Sequence, residues 1–173
     1  MPATEDAALN PMRQVVETAW QEYNQGILES DMVQVLLFYE KWTAPDFEEQ
    51  DNPKGHVMDR AQMLALMAEA VAMGSPGDSM IVLEATTSIA ELAAEGSHAV
   101  AVAANKYRWR QVDTHGWYGA KDVEHKVETV GRWRQTWVKT DQGWRLQVNQ
   151  RLSIETCVDG VLFAPAQGGT ERC

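Results

Sequence analysis

The 173-residue chain lacks most of the features that mark a dedicated chemistry. It has two cysteines, Cys157 and Cys173, the latter its last residue. Such a pair can close a disulfide in an oxidising compartment, but the composition as a whole favours a reduced, cytosolic pair. No apolar run approaches the ~20 residues that a bilayer span needs. Met1 to Asn10 carry Glu5 and Asp6 and no basic stretch, so no signal peptide is expected and the location predicted is cytoplasmic. Positive charge is scarce. Fifteen Lys and Arg face 25 Asp and Glu, a net charge of −10, which argues against nucleic acid and against anionic membrane as partners. No Cys-x-x-Cys pair, glycine-rich phosphate loop, His-Glu-x-x-His or Gly-x-Ser-x-Gly motif occurs. The four histidines, His56, His98, His115 and His125, have no metal-ligand spacing, so neither a metal nor a cofactor is expected.

What is present is ordinary globular composition with one outlier. Hydrophobic residues make up 45% and charged residues 23%, but seven Trp stand against three Phe and four Tyr. The length suits one domain, burying roughly 70% of the surface of its unfolded chain. Residues 1–10 read as a leader, 11–156 as the domain and 157–173 as a tail in which Val161, Leu162 and Phe163 can pack back. Asn10-Pro11 reads as a helix start. Met12, Val15, Val16, Ala19, Trp20, Tyr23 and Ile27 then recur at three- and four-residue spacing, one buried face of a long helix. Ser30-Asp31 caps a second helix through about Tyr39, and Asp59 caps a third that Gly74-Ser75-Pro76-Gly77 ends. The stretch from Asp46 to Gly55 is acidic and turn-like, with room for one small strand.

Beyond residue 78 the period falls to two. Extended segments near 79–94, 98–112, 123–140 and 143–156, joined by short turns, read as an antiparallel meander. Helices followed by strands give an α+β class, three helices laid on one face of a curved sheet of four to five strands. Alternation assigns the faces. Tyr107 and Trp109, then Trp133, Gln135 and Trp137, then Trp144, Leu146, Val148, Gln150 and Leu152 fall on the face toward the helices. Arg145, Gln147, Asn149 and Arg151 fall on the other, provided no bulge intervenes. The triplets Arg108-Trp109-Arg110 and Arg132-Trp133-Arg134 become cross-strand neighbours if their hairpin is centred near residue 121. Two Trp would then stack inside and four Arg cluster outside, relieved by Glu84, Glu128 or Glu155. Such an Arg-rich face is either a solvated, salt-bridged surface, a dimer interface or an anion site.

Thr43-Ala44-Pro45-Asp46-Phe47, with Asp51, Gly55 and Arg60, resembles the segment after the second helix of SnoaL-like domains. Arg134-Gln135-Thr136-Trp137-Val138-Lys139, Asp141 and Gly143-Trp144-Arg145-Leu146 resemble their closing hairpin. With the order of elements over residues 11–156, these identify a resemblance to the nuclear transport factor 2-like superfamily, whose fold is a cone with an internal pocket. Members range from ketosteroid isomerases, dehydratases and polyketide cyclases to proteins with no chemistry, so the resemblance does not fix a function. It implies a general base at Asp51, whose basicity apolar walls would raise. A turn-capping Asp before Asn52-Pro53 is the plainer alternative. Trp20 stands where the isomerases have a donor Tyr, while Tyr23 lies on the same helix face and can donate instead. His56 is a third acid-base candidate, although the dehydratase His lies on a strand and this one in a loop. Trp20, Tyr23, Tyr107, Trp109, Trp133 and Trp137 can line a cage, with Asn105, Gln135 and Gln150 as its polar points, or simply fill a conical core. The expectation is a homodimer, paired through the sheet face. It would hold an apolar or aromatic small molecule as a cofactor-free lyase or isomerase, or be a non-catalytic binding or dimerisation module of the same shape.

Overall fold

The computed structural model describes residues 3–51 and 55–163. The first helix, α1 (Ala3–Leu28), starts ahead of Asn10, so Pro11 sits inside it and the predicted break after residue 10 is absent. Met12, Val16, Ala19 and Trp20 form its buried stripe, as the spacing requires. At Gly26 the chain into α2 (Met32–Trp42) comes so close that a Cβ would meet Val35 at 3.0 Å and the Asp31 carbonyl at 3.2 Å. Asp31 caps α2, accepting from the N–H groups of Val33 and Gln34, worth about 1 kcal/mol. Asp59 caps α3 (Arg60–Met73) in a reciprocal box with Gln62.

The sheet is larger than the predicted meander. Its long strands β3 (Met80–Glu95), β4 (His98–Asp113), β5 (Val123–Thr140) and β6 (Gly143–Val158) match the predicted segments to within about two residues. Added to them are β1 (Thr43–Asp51), β2 (His56–Asp59) and the short β7 (Val161–Leu162). The order is β2-β1-β6-β5-β4-β3, with β7 on the end of β6. The β1–β6 pairing is parallel, so the sheet is mixed rather than purely antiparallel. Val161 to Phe163 do pack back. Phe163 donates its N–H to Thr156 and its ring meets Tyr118 edge-on, while residues beyond 163, including Cys173, lie outside the described residues. Cys157 takes part in a disulfide, which corrects the expectation of a reduced pair.

Two register details matter. The β4–β5 hairpin is centred at 118, three residues before the predicted point, so Trp109 faces Val127 while Trp133 faces Ala103. A three-residue error in the turn displaces pairing by six residues, roughly 20 Å along the strand, and the two Trp do not stack. The four Arg likewise do not cluster. Arg108 pairs with Glu84 at 3.2 Å and Arg110 with Glu124 at 3.8 Å, while Glu128 holds Lys106 and Arg132 lies opposite Ser153. The second detail is a pair of bulges in β6. Trp137 faces Leu146 but Thr136 faces Val148, leaving Gln147 unpaired, and Leu152 is passed over in the same way. The extra residue turns Asn149 and Arg151 inward and sends Val148 and Gln150 outward, reversing the predicted faces over that stretch.

The core lies between the helices and the inner face of the sheet. Met12, Val16, Trp20, Val35, Phe38, Phe47, Met63, Trp137 and Leu146 are buried there, with Ala99, Ala101 and Ala103 supplying the flat strand surface beneath them. Trp20, Tyr23, Phe38 and Tyr39 form a chain of tilted and edge-to-face rings 5.1–6.2 Å apart.

Candidate functional site

The parallel β1–β6 ladder builds the site. It sets Glu49 opposite Asn149, Gln50 opposite Gln150 and Asp51 opposite Arg151. Period two puts Phe47, Glu49 and Asp51 on the inner side of β1. Phe47 is sealed in the core, Glu49 sits above it, and Asp51 reaches the rim. There β2 and the first turn of α3 complete a cavity of about 440 Å³ with His56, Val57, Met58 and Gln62, and Trp133 and Arg151 close the other wall.

Glu49 is the unusual group. Burial is the main cause that pushes its carboxyl up to about 7, helped by the nearby Asp51 charge and opposed by Asn149 and Arg151. Asn149 donates to both carboxylate oxygens, at 3.1 and 3.0 Å. Asp51 forms an ion pair with Arg151, whose buried Nε has no hydrogen-bond partner among the described residues. Behind Glu49, burial, the Glu49 charge and contact between their hydroxyls act on Tyr23 and Tyr39. Tyr23 is raised to about 12 and Tyr39 well above the ordinary tyrosine value, so both stay protonated. A carboxyl poised near neutrality, beside an ion pair and an indole at the mouth of a cavity, suits proton exchange with a bound molecule.

Of the predicted acid-base groups, Asp51 and His56 do meet at this cavity, His56 on its exposed rim. Tyr23 lies inside, packed between Trp20 and Phe38, and reaches the site only through Glu49. Of the predicted cage, Trp133 alone lines the cavity. Trp20, Gln135 and Trp137 are buried and bonded to one another, filling the interior where a pocket was expected. Tyr107 donates to Asn24 of α1 at 3.3 Å, and Trp109 donates to Gln111 toward the far end of the sheet. Gln150 faces outward and bonds Gln50 at 3.4 Å, a direct result of the β6 bulge. Sequence reasoning missed Glu49, Asn149 and Arg151. Glu49 was legible as the residue two before Asp51 on an extended segment, and so on its face. His125 also gains a partner the sequence did not suggest, Asp159 at 2.7 Å, which fixes the β6–β7 turn. Among the described residues no cluster of His, Cys, Asp and Glu could hold a metal ion. No helix among the described residues is long and apolar enough to cross a membrane.

No family model and no curated protein matches the chain. Solved structures do. A nuclear transport factor 2-like protein from Cytophaga hutchinsonii covers 80% of this chain and 95% of its own at 12% identity, with a TM-score of 0.53. A conserved protein from Planctomyces limnophilus covers 82% and 94% at 12% identity, TM-score 0.58. A nuclear transport factor 2-like superfamily protein from Salmonella enterica covers 92% and 95% at 18% identity, TM-score 0.50. The fold is therefore the nuclear transport factor 2-like cone, with three helices over a curved, unclosed mixed sheet. At these identities the likeness carries the fold and nothing about activity.

Proposed function

We propose that the protein binds an uncharged, apolar or aromatic small molecule in the Glu49–Trp133 cavity and exchanges a proton with it, as a cofactor-free lyase or isomerase. The observation that carries this reading is Glu49, raised to about 7 and facing a cavity rimmed by Asp51, Arg151 and His56. Near neutral pH both of its forms are populated, so it can take a proton from a carbon acid and return it. Arg151, paired with Asp51 at the cavity wall, offers its guanidinium charge to the oxygen on which negative charge develops. His56, on the rim of the cavity, would protonate a leaving hydroxyl. Trp133 and Met58 give the ring of the ligand an apolar wall.

The test uses a panel of aromatic and alicyclic hydroxy-ketones in D2O. Binding is read by tryptophan quenching and proton exchange by NMR of the acidic C–H. The expected result is saturable quenching and C–H exchange, with exchange lost and quenching kept in Glu49→Gln, and quenching weakened in Trp133→Ala. Quenching with no exchange by any compound would leave a binding module, and neither signal would overturn the reading. Pairing of two copies through the outer sheet face is proposed with it. Val130, 41% exposed, lies there beside Arg132 and Arg134. Val130→Glu should convert a dimer to monomer in sedimentation if this face is the interface.

A further inference from the structure

The interior that replaces the expected pocket holds a directed chain of hydrogen bonds ending on Glu49. Trp20 Nε1 donates to Gln135 Oε1 at 3.1 Å, and Trp137 Nε1 donates to the same oxygen at 3.4 Å. Gln135 Nε2 donates to Asn149 Oδ1 at 3.3 Å, and Asn149 Nδ2 donates to the Glu49 carboxylate. Gln135 and Trp137 are both 0% exposed and Asn149 is 5% exposed, so water does not compete for these groups.

The direction of this chain is forced. An indole N–H can only donate, whereas an amide can present either its oxygen or its NH2 group. Two indoles converging on one point require an acceptor there, which fixes the Gln135 oxygen toward Trp20 and Trp137. Its NH2 must then point at Asn149 and find an oxygen. That leaves the Asn149 NH2 for Glu49. Reversing any amide would set two donors or two acceptors face to face in a dry interior, at the cost of a buried unpaired group. The two tryptophans thus decide, two residues away, that Glu49 meets a donor rather than an acceptor.

We propose that Gln135 is a positioning residue for Glu49, transmitting the orientation set by Trp20 and Trp137 through Asn149 so that the carboxylate form is held at the cavity. This rests on the reading of Glu49 as the proton-exchanging group. The chain links α1, β5, β6 and β1, the elements that would otherwise let Glu49 drift. A donor on a carboxylate favours its ionised form and offsets burial, which disfavours it. The other groups that bear on Glu49 are Tyr23 of α1, Tyr39 of α2, Asp51 of β1, Tyr107 of β4 and Arg151 of β6, with His56 of β2 across the cavity; α3 brings only the neutral Gln62. None of these contacts Gln135 in the hydrogen-bond network.

The experiment is a carboxyl 13C NMR titration of the intact, ligand-free protein, with the Glu49 signal identified by its disappearance in Glu49→Gln. Asn149→Leu removes the donor itself. Gln135→Met removes the orientation and leaves Asn149 free to turn. Both variants are expected to raise the Glu49 midpoint by about one pH unit, a tenfold gain in proton affinity. Trp20→Phe, which leaves Trp137 as the remaining donor, should give a smaller rise and serves if Gln135→Met does not fold. A midpoint unchanged in Gln135→Met and Trp20→Phe, with Asn149→Leu shifted, overturns the relay while sparing Asn149. No shift in any variant overturns it altogether. Because no ligand is involved, the relay and the proposed proton exchange on a substrate fail separately.

Discussion

Glu49→Gln offers the sharpest test of the buried carboxyl, because its effect on stability has a fixed sign and pH window. In the folded protein Glu49 holds its proton up to about pH 7, whereas the ordinary value is 4.5. Between those values the folded chain binds more protons than the unfolded one, so stability falls as pH rises. The difference of roughly 2.5 pH units corresponds to about 3 kcal/mol at 1.36 kcal/mol per unit. The penalty is absent below about pH 4.5 and complete above about pH 7. Glutamine has nearly the same shape, keeps an oxygen for Asn149 and never ionises. Its variant should lie within about 1 kcal/mol of the wild type near pH 5 and exceed it by about 3 kcal/mol near pH 8, roughly 6–12 °C in Tm for a domain of this size. The assay is urea or thermal unfolding of both proteins from pH 4.5 to 8.5, reported as the difference between the two curves. That difference cancels the other carboxylates and histidines. Parallel curves across the whole range would show that Glu49 titrates as an ordinary surface acid, and the case for proton exchange at this cavity would fall with it.

Three further outcomes follow from other contacts. Gly131→Ala places a Cβ 2.9 Å from Trp133 Nε1, so a rigid ring at the cavity wall must move. The cost expected by urea unfolding is roughly 1–3 kcal/mol, with weaker ligand quenching; unchanged stability would mean that Trp133 yields freely. The Asp113 carboxylate is held below its usual range, because the backbone N–H groups of the following loop outweigh the effect of burial. Those of His115, Gly116 and Tyr118 donate to it directly. Asp113→Ala should open that loop to tryptic cleavage at Lys121, and an unaltered cleavage rate would contradict the account. Phe38, 1% exposed at the centre of the aromatic chain, should cost roughly 3–5 kcal/mol on replacement by Ala, measured by chemical unfolding.

Local signals carried most of the fold. Asp31 and Asp59 announced their helices because capping is decided within four residues, and both caps form. The long strands, 16 to 18 residues each, were legible because stretches of alternation lie between clear turn signals, even where a bulge interrupts the period. What local signals could not supply was register between distant strands. Asp122 at φ +61 and Gly116 and Gly119 at positive φ set the shape of the loop after β4, and no motif there names a two-residue turn. The parallel β1–β6 pairing was hidden for a related reason. It joins residues about 100 apart in sequence, so it leaves no short-range trace.

The site depended on the least legible feature of all, one unpaired residue. Without the bulge at Gln147, strict alternation would keep Asn149 and Arg151 on the outer face with Arg145. Glu49 would then lose its two hydrogen bonds, Asp51 its ion pair, and Gln135 the acceptor that completes its chain. The same bulge sends Val148 and Gln150 outward, where Gln150 bonds Gln50 instead of lining a pocket. The tryptophans follow the same logic. Their excess reads in sequence as a possible cage, but a cage needs the rings apart, and the bulge supplies Gln135 with a partner that lets Trp20 and Trp137 close over it. Completing the Gln135 chain and turning Asn149 and Arg151 toward Glu49 and Asp51 thus share one structural cause. Deleting Gln147 should remove both together, restoring alternation at the expense of the site.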